Sequence, residues 1–155
     1  MNHSMGKGSY ARLAVMFVLH FIAMYVLMYA MVHDLRENVY NSLNQVYMAA
    51  LMTASMVGIE VALMRSMYPN KVWNAAIVLG SVVLLIASWM FIRQQTAIND
   101  KQFVRSMIPH HAGAILMCQQ ASIRDSQVRD LCKRIVAGQQ AEIEEMNGIL
   151  KRLNQ

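Results

Sequence analysis

Three apolar stretches, residues 13–32, 46–64 and 72–92, are each long enough to cross the roughly 30 Å hydrocarbon layer of a bilayer as a helix. This feature removes most water-soluble folds from consideration. The first stretch holds no charged residue, the second only Glu60, and the third is interrupted by Asn74, Ser81 and Ser88. Their connections are polar: residues 33–45 read HDLRENVYNSLNQ, and residues 65–71 form a short basic turn with Pro69 and Asn70. The first stretch is long for the apolar core of a signal peptide and no small-residue cleavage site follows it, so it reads as a span. Overall, 56% of the residues are hydrophobic and 15% charged, with two cysteines, two prolines and seven glycines. That balance excludes disorder, collagen-like repeats and a disulfide-rich scaffold.

Trp73 and Trp89 fall near opposite ends of the third span, a spacing that suits the two interfacial aromatic belts, with core filling as the alternative. Lys7, Arg12, Arg65 and Lys71 flank one side of the spans, whereas Arg36 and Arg93 flank the other. By the positive-inside rule the N-terminus is cytoplasmic, and three crossings place the C-terminus in a periplasm or its equivalent, as in a bacterial inner-membrane protein. Including Lys101 and Arg105 equalises the count.

From residue 93 onward the composition changes. This segment holds nine of the fourteen basic and six of the nine acidic residues, so its net charge is 9 − 6 = +3. Apolar residues recur at helical spacing before and after a polar break at Arg124, Asp125 and Ser126, where Asp125 or Ser126 can cap a second helix. The expected fold is all-α: an N-terminal segment 1–12, a three-helix membrane region 13–92, and a soluble antiparallel hairpin 93–155, with helices at about 100–123 and 127–154.

The most specific string runs MIPHHAGAILMC from Met107 to Cys118. His110 at i+3, His111 at i+4 and Met117 at i+10 share a broad helix face with Met107, and Cys118 joins its edge. Pro109 implies either that the regular helix begins near Ile108 or that a kink there presents the two histidines. Folding the hairpin about Arg124 and Asp125 sets Met107 against Glu142, His110 against Gln139, Phe103 against Met146, and Cys118 near Leu131 and Cys132. Thioether, imidazole and thiolate are the donors that select Cu(I), and only Glu142 offers a carboxylate squarely on this face. Methionine on a helix face is ordinarily core filler. Burial accounts for Met107 and Met117 but leaves two imidazoles without partners.

These residues resemble the domain-of-unknown-function 305 family, a ferritin-like helical family associated with copper. Its pattern is matched by Asp100, Phe103, Met107, Pro109, His110, His111, Ala114, Ile115 and Met117, then by Ile135, Gln139, Glu142, Ile143 and Met146. The resemblance covers about 50 residues of the tail. It implies binding of Cu(I), or Ag(I), in copper tolerance or trafficking, through Met107, His110, His111, Met117 and Met146. Family members often carry two such helical pairs and this chain has one, so a four-helix arrangement implies a homodimer. Cys118 and Cys132 lie outside the pattern. They have three readings: a disulfide, thiolates added to a copper site, or inert core residues.

Eleven of the fifteen methionines lie in the first 67 residues. Met16, His20, Met24 and Met28 step by four along the first span, as do Met48, Met52, Met56, Glu60 and Met64 along the second. One reading is packing material. The other is two facing stripes that pass a soft cation, with His20 and Glu60 as ionisable stations. Glu60 lies close enough to its span's end to reach toward Arg65. Met1-Asn2-His3-Ser4-Met5 repeats the same donor types at the N-terminus.

The sequence thus points to a non-enzymatic, membrane-anchored protein that buffers or hands over Cu(I), with His20, Cys118, Cys132 and Glu142 as additional candidate ligands. The alternatives are a membrane scaffold that dimerises through the hairpin and a copper/thiol oxidoreductase. HExxH, Gly-rich phosphate loops, a Ser-His-Asp series and paired Glu-x-x-His motifs are absent. The modest positive charge, assignable to membrane flanks and mixed-charge helix faces, does not point to nucleic acid.

Overall fold

The computed structural model describes residues 3–155, with side chains from residue 8 onward, so the donor cluster at residues 1–5 lies outside the described residues. Five helices are present: α1 (His3–Leu27), α2 (Leu43–Leu63), α3 (Lys71–Gln94), α4 (Asp100–Gln120) and α5 (Ser126–Leu153). Short 3-10 turns at Met28–Met31 and Arg65–Met67 follow α1 and α2, and there is no strand among the described residues. The protein is all-α. Three of its helices are long and apolar enough to span a membrane. The chain divides into two compact units, residues 1–27 with 46–96, and residues 28–45 with 97–155.

The first unit packs α1, α2 and α3 around Leu13, Val57, Val61 and Tyr68. Small residues let the backbones approach: Ala49, Thr53 and Ala54 on α2 are buried, as are Ser81 and Ser88 on α3. At Gly58 an added Cβ would lie 3.3 Å from the Ser81 Cβ. Tyr47 and Phe91 meet with ring centroids 5.4 Å apart, so α2 and α3 run antiparallel. The Tyr10 hydroxyl on α1 donates to Asn74 Oδ1 at 2.8 Å, and Asn74 Nδ2 donates to the Tyr68 carbonyl at 2.9 Å. The polar interruption in α3 is therefore satisfied internally, as a low-dielectric solvent demands.

Outward-facing positions are apolar, among them Val15, Leu19, Ile22 and Val26 on α1 and Leu79, Val83 and Ile86 on α3. Trp73 and Trp89 are both exposed, which removes core filling as their explanation. The methionine stripe of α2 also turns outward, with Met48 and Met52 each 41% exposed. The buried face of α2 belongs to its small and β-branched residues, so α2 presents no thioether row to α1. Met16 instead packs beside Leu13 and Val57, and His20 is half-buried. The partner found for Glu60 is the Tyr68 hydroxyl, which donates to Oε1 at 2.9 Å. Burial first, then this bond and the charge of Glu60, push the Tyr68 hydroxyl above its ordinary pKa.

The second unit is the α4–α5 hairpin together with residues 28–45. Asn99 caps α4 by accepting from Gln102 N at 2.9 Å, and Asp125 caps α5 by accepting from Val128 N at 2.9 Å. α4 ends at Gln120, three residues before its expected end at Ile123. The hairpin core is Val104, Ile108, Ala112, Ile115, Ile143 and Leu150, joined by Val32 and flanked by Tyr29 and Tyr40. The Tyr40 hydroxyl donates to Asn147 Oδ1 at 2.9 Å, and Gln102 Oε1 accepts from Leu43 N at 2.9 Å. Residues 28–45 thus cover one face of the hairpin.

Gly113 is buried against this cover, where a Cβ would lie 3.2 Å from the Met31 carbonyl oxygen. A branched side chain there must displace backbone, and overpacking of this kind costs about 1–3 kcal/mol. Gly113→Val is expected to lower the thermal midpoint of the detergent-solubilised protein and to speed proteolysis within residues 28–45. An unchanged midpoint and cleavage rate would show that the close approach is not a constraint.

Candidate metal-binding hairpin

α4 runs unbroken through Pro109, its tenth residue, so the helix does not begin near Ile108. Proline has no N–H, and the Arg105 carbonyl therefore lacks its usual helical donor. The ring is tolerated because the apolar residues on either side, Ile108 and Ala112, are locked in the core at 0% exposure.

His111 is buried in the same helix. Its Nδ1 lies 2.9 Å from the Met107 carbonyl oxygen, and since a carbonyl only accepts, Nδ1 carries the hydrogen. Its Nε2 lies 2.7 Å from Glu142 Oε2 on α5. At this separation one hydrogen lies between the ring nitrogen and the carboxylate oxygen, and the hydrogen bond ties α4 to α5. Gln139 Nε2 donates to the same carboxylate oxygen at 3.5 Å. Glu142 keeps 55% of its side chain exposed.

The disulfide between Cys118 and Cys132 agrees with the expected register, which set these residues near one another. Met107 was set against Glu142, whereas the side chain that reaches it belongs to His111. Helical side chains lean toward their own N-terminus, so His111 and Glu142 meet although their positions are three residues off the register of the disulfide. Met107 lies one turn from His111 on α4, and Met146 one turn from Glu142 on α5. Met107 and Met146 are both half-buried, and Met146 packs against the hairpin core.

His110 is exposed, its ring centroid 6.3 Å from that of His111 and the rings roughly edge to face. Met117 is 53% exposed and seven residues beyond His110, about 10.5 Å along the helix. One ion cannot be gripped by both from a single chain. Of the five residues singled out by the sequence, Met107, His110 and His111 are neighbours on α4, Met146 packs against the hairpin core from α5, and Met117 stands apart. Among the described residues no three His, Cys, Asp or Glu side chains converge; any fuller coordination draws on thioethers or on a second chain.

Cys118 and Cys132 are joined in a disulfide, with Cα atoms 5.2 Å apart across the closed end of the hairpin. Of the three readings for these cysteines, pairing is the one present. Neither sulfur is a thiolate in this state, so neither belongs to the ligand set of the oxidised protein. His20 belongs to the first unit and the hairpin residues to the second.

The geometry defines an all-α protein in which three long apolar helices are followed by a two-helix hairpin. The family described as Domain of unknown function (DUF305) matches residues 92–155. Uncharacterized protein L153 of Acanthamoeba polyphaga mimivirus is 36% identical over 110 residues, 70% of each chain. That stretch is longer than the 64 residues matched by the family (155 − 92 + 1), so the likeness extends into the apolar helices. The chain belongs to the DUF305 family. No solved structure matches it.

A disulfide closing a loop of this size, 14 residues apart in sequence, contributes about 3 kcal/mol on the chain-entropy account. Cys118→Ser combined with Cys132→Ser is expected to lower the stability of the hairpin by that order in chemical unfolding followed by helical circular dichroism. The same protein is expected to keep its native helix content without denaturant, because the hydrophobic core lies elsewhere.

Proposed function

We propose that this is a membrane-anchored protein whose hairpin binds Cu(I), or its congener Ag(I), and buffers it or hands it on. The observation that carries the reading is the tie between His111 and Glu142 across α4 and α5. His110 is exposed beside it, and Met107 and Met146, each one turn away on its own helix, are half-buried. Two thioethers and two imidazoles suit a soft monovalent ion, whereas a hard cation would need several carboxylates. The metal is cargo in this reading, and no catalytic step is assigned.

The anchor is the set of three apolar helices. We place the N-terminus on the cytoplasmic side and the hairpin in the periplasm or its equivalent; the Cys118–Cys132 disulfide supports this, since such bonds persist in oxidising compartments.

A homodimer completes the proposal. Residues 28–45 pack on the hairpin, yet Phe103 stays 51% exposed and Met117, Val128 and Leu131 are exposed as well. Two hairpins brought together over these apolar side chains would make a four-helix bundle with donors from both copies. The exposed apolar side chains also favour the second reading, a scaffold that dimerises without metal.

The test is a Cu(I) titration of the full-length protein in detergent against a chromophoric chelator. Met107→Leu with Met146→Leu, and separately His110→Ala with His111→Ala, are each expected to weaken binding at least about tenfold, roughly 1.4 kcal/mol. Met48→Leu with Met52→Leu is expected to leave it unchanged. Binding unaffected by the hairpin variants would overturn the assignment. A dimeric mass without Cu(I) binding would favour the scaffold, and a monomeric mass would remove the shared bundle.

A further inference from the structure

We infer that the Cys118–Cys132 pair is a second soft-metal site, closed while oxidised and opened by a dithiol reductant. This inference goes beyond the proposed Met/His site, since it uses other residues at the other end of the hairpin. Both cysteines are half-buried, and they line an open groove of about 490 Å³ with Ile123, Val136, Arg129 and Lys133. The sulfurs can thus be approached from solvent, which thiol–disulfide exchange requires. The cations beside them favour both the attacking and the departing thiolate. Arg129 donates to the Arg124 carbonyl at 3.4 Å and Lys133 pairs with Asp130 at 2.9 Å, which holds both beside the groove.

The chemistry balances with one co-reactant. A thiolate of the dithiol attacks one sulfur of the pair and forms a mixed disulfide while the other cysteine leaves as a thiolate. The second thiol of the reductant resolves the mixed disulfide. The net result is a protein dithiol and an oxidised, cyclic or intramolecular disulfide, with two electrons and two protons transferred to the protein. A monovalent soft cation then displaces two protons and binds both sulfurs.

The backbone is already suited to this. Its two Cα atoms are 5.2 Å apart on helices held together by the five-residue linker and by a core that excludes the cysteines. Two metal–sulfur bonds of about 2.3 Å set the sulfurs some 4.6 Å apart in a linear site. Rotation about the two Cα–Cβ bonds supplies that separation without moving either helix. The hairpin therefore holds one set of soft donors regardless of redox state and a second set only when reduced.

The experiment counts Ag(I), a redox-inert probe, bound to the full-length protein in detergent by native mass spectrometry. Counts are taken before and after treatment with excess dithiothreitol and anaerobic removal of the reagent, with maleimide labelling to count released thiols. Reduction is expected to release two thiols and add one silver ion per chain. Cys118→Ser with Cys132→Ser is expected to abolish the added ion. Met107→Leu with Met146→Leu is expected to retain it, even where the oxidised protein then binds no silver. A disulfide that resists the dithiol in the folded protein, or two released thiols with no added ion, would overturn the inference and leave the Met/His site untouched.

Discussion

The register of α4 against α5 governs the second unit, and two cross-links of different chemistry fix it. One is the disulfide at the closed end. The other is the His111–Glu142 bond, seven residues from Cys118 on α4 and ten from Cys132 on α5. Between and beyond them Ile108, Ile115, Ile143 and Leu150 are buried, and a slide of either helix by one residue would rotate these out of contact by about 100°. His110 and Met117, three residues before and four after Gly113, share its side of α4 and are nonetheless exposed.

The cover itself belongs to the second unit. Residues 28–45 connect two apolar helices and are polar in composition, so nothing in their pattern marks them as part of another unit. Their role rests on a few specific contacts: Tyr29 and Val32 against the core, Tyr40 on Asn147, Leu43 N on Gln102, and the Met31 carbonyl against Gly113. Each is a pairing over some 60 to 110 residues in sequence, which no local periodicity encodes. Phe103, Val128 and Leu131 of the hairpin stay exposed despite this cover.

What the sequence revealed and what it concealed divide along the same line. The three long helices were legible because bilayer thickness sets a length that composition must meet, and α5 because Asp125 is a strong cap beside a periodic run. The family assignment was legible from the spaced Met, His, Gln and Glu positions. The placing of Cys118 near Cys132 was legible from the fold-back, whereas the His111–Glu142 contact was not, since it depends on side-chain lean. Pro109 misled by its helix-breaking character, although its neighbours are held firmly enough for α4 to continue through it.

The methionines show how the same residue type takes on different meaning under different packing. On α2, Ala49, Thr53, Val57 and Val61 face inward because close helix approach in an apolar solvent rewards small and β-branched side chains. Met48 and Met52 are left on the outside, where a flexible thioether is compatible with lipid and where neighbouring outward positions are apolar as well. On the hairpin the flanking residues are mixed in charge, and a methionine at the edge of the core borders water instead of hydrocarbon. There a thioether beside an imidazole is available to an ion arriving from solution. Periodicity alone treats the two stripes alike; the difference lies in what surrounds each, and on the hairpin His110 and Met117 are exposed while Met107 and Met146 are half-buried.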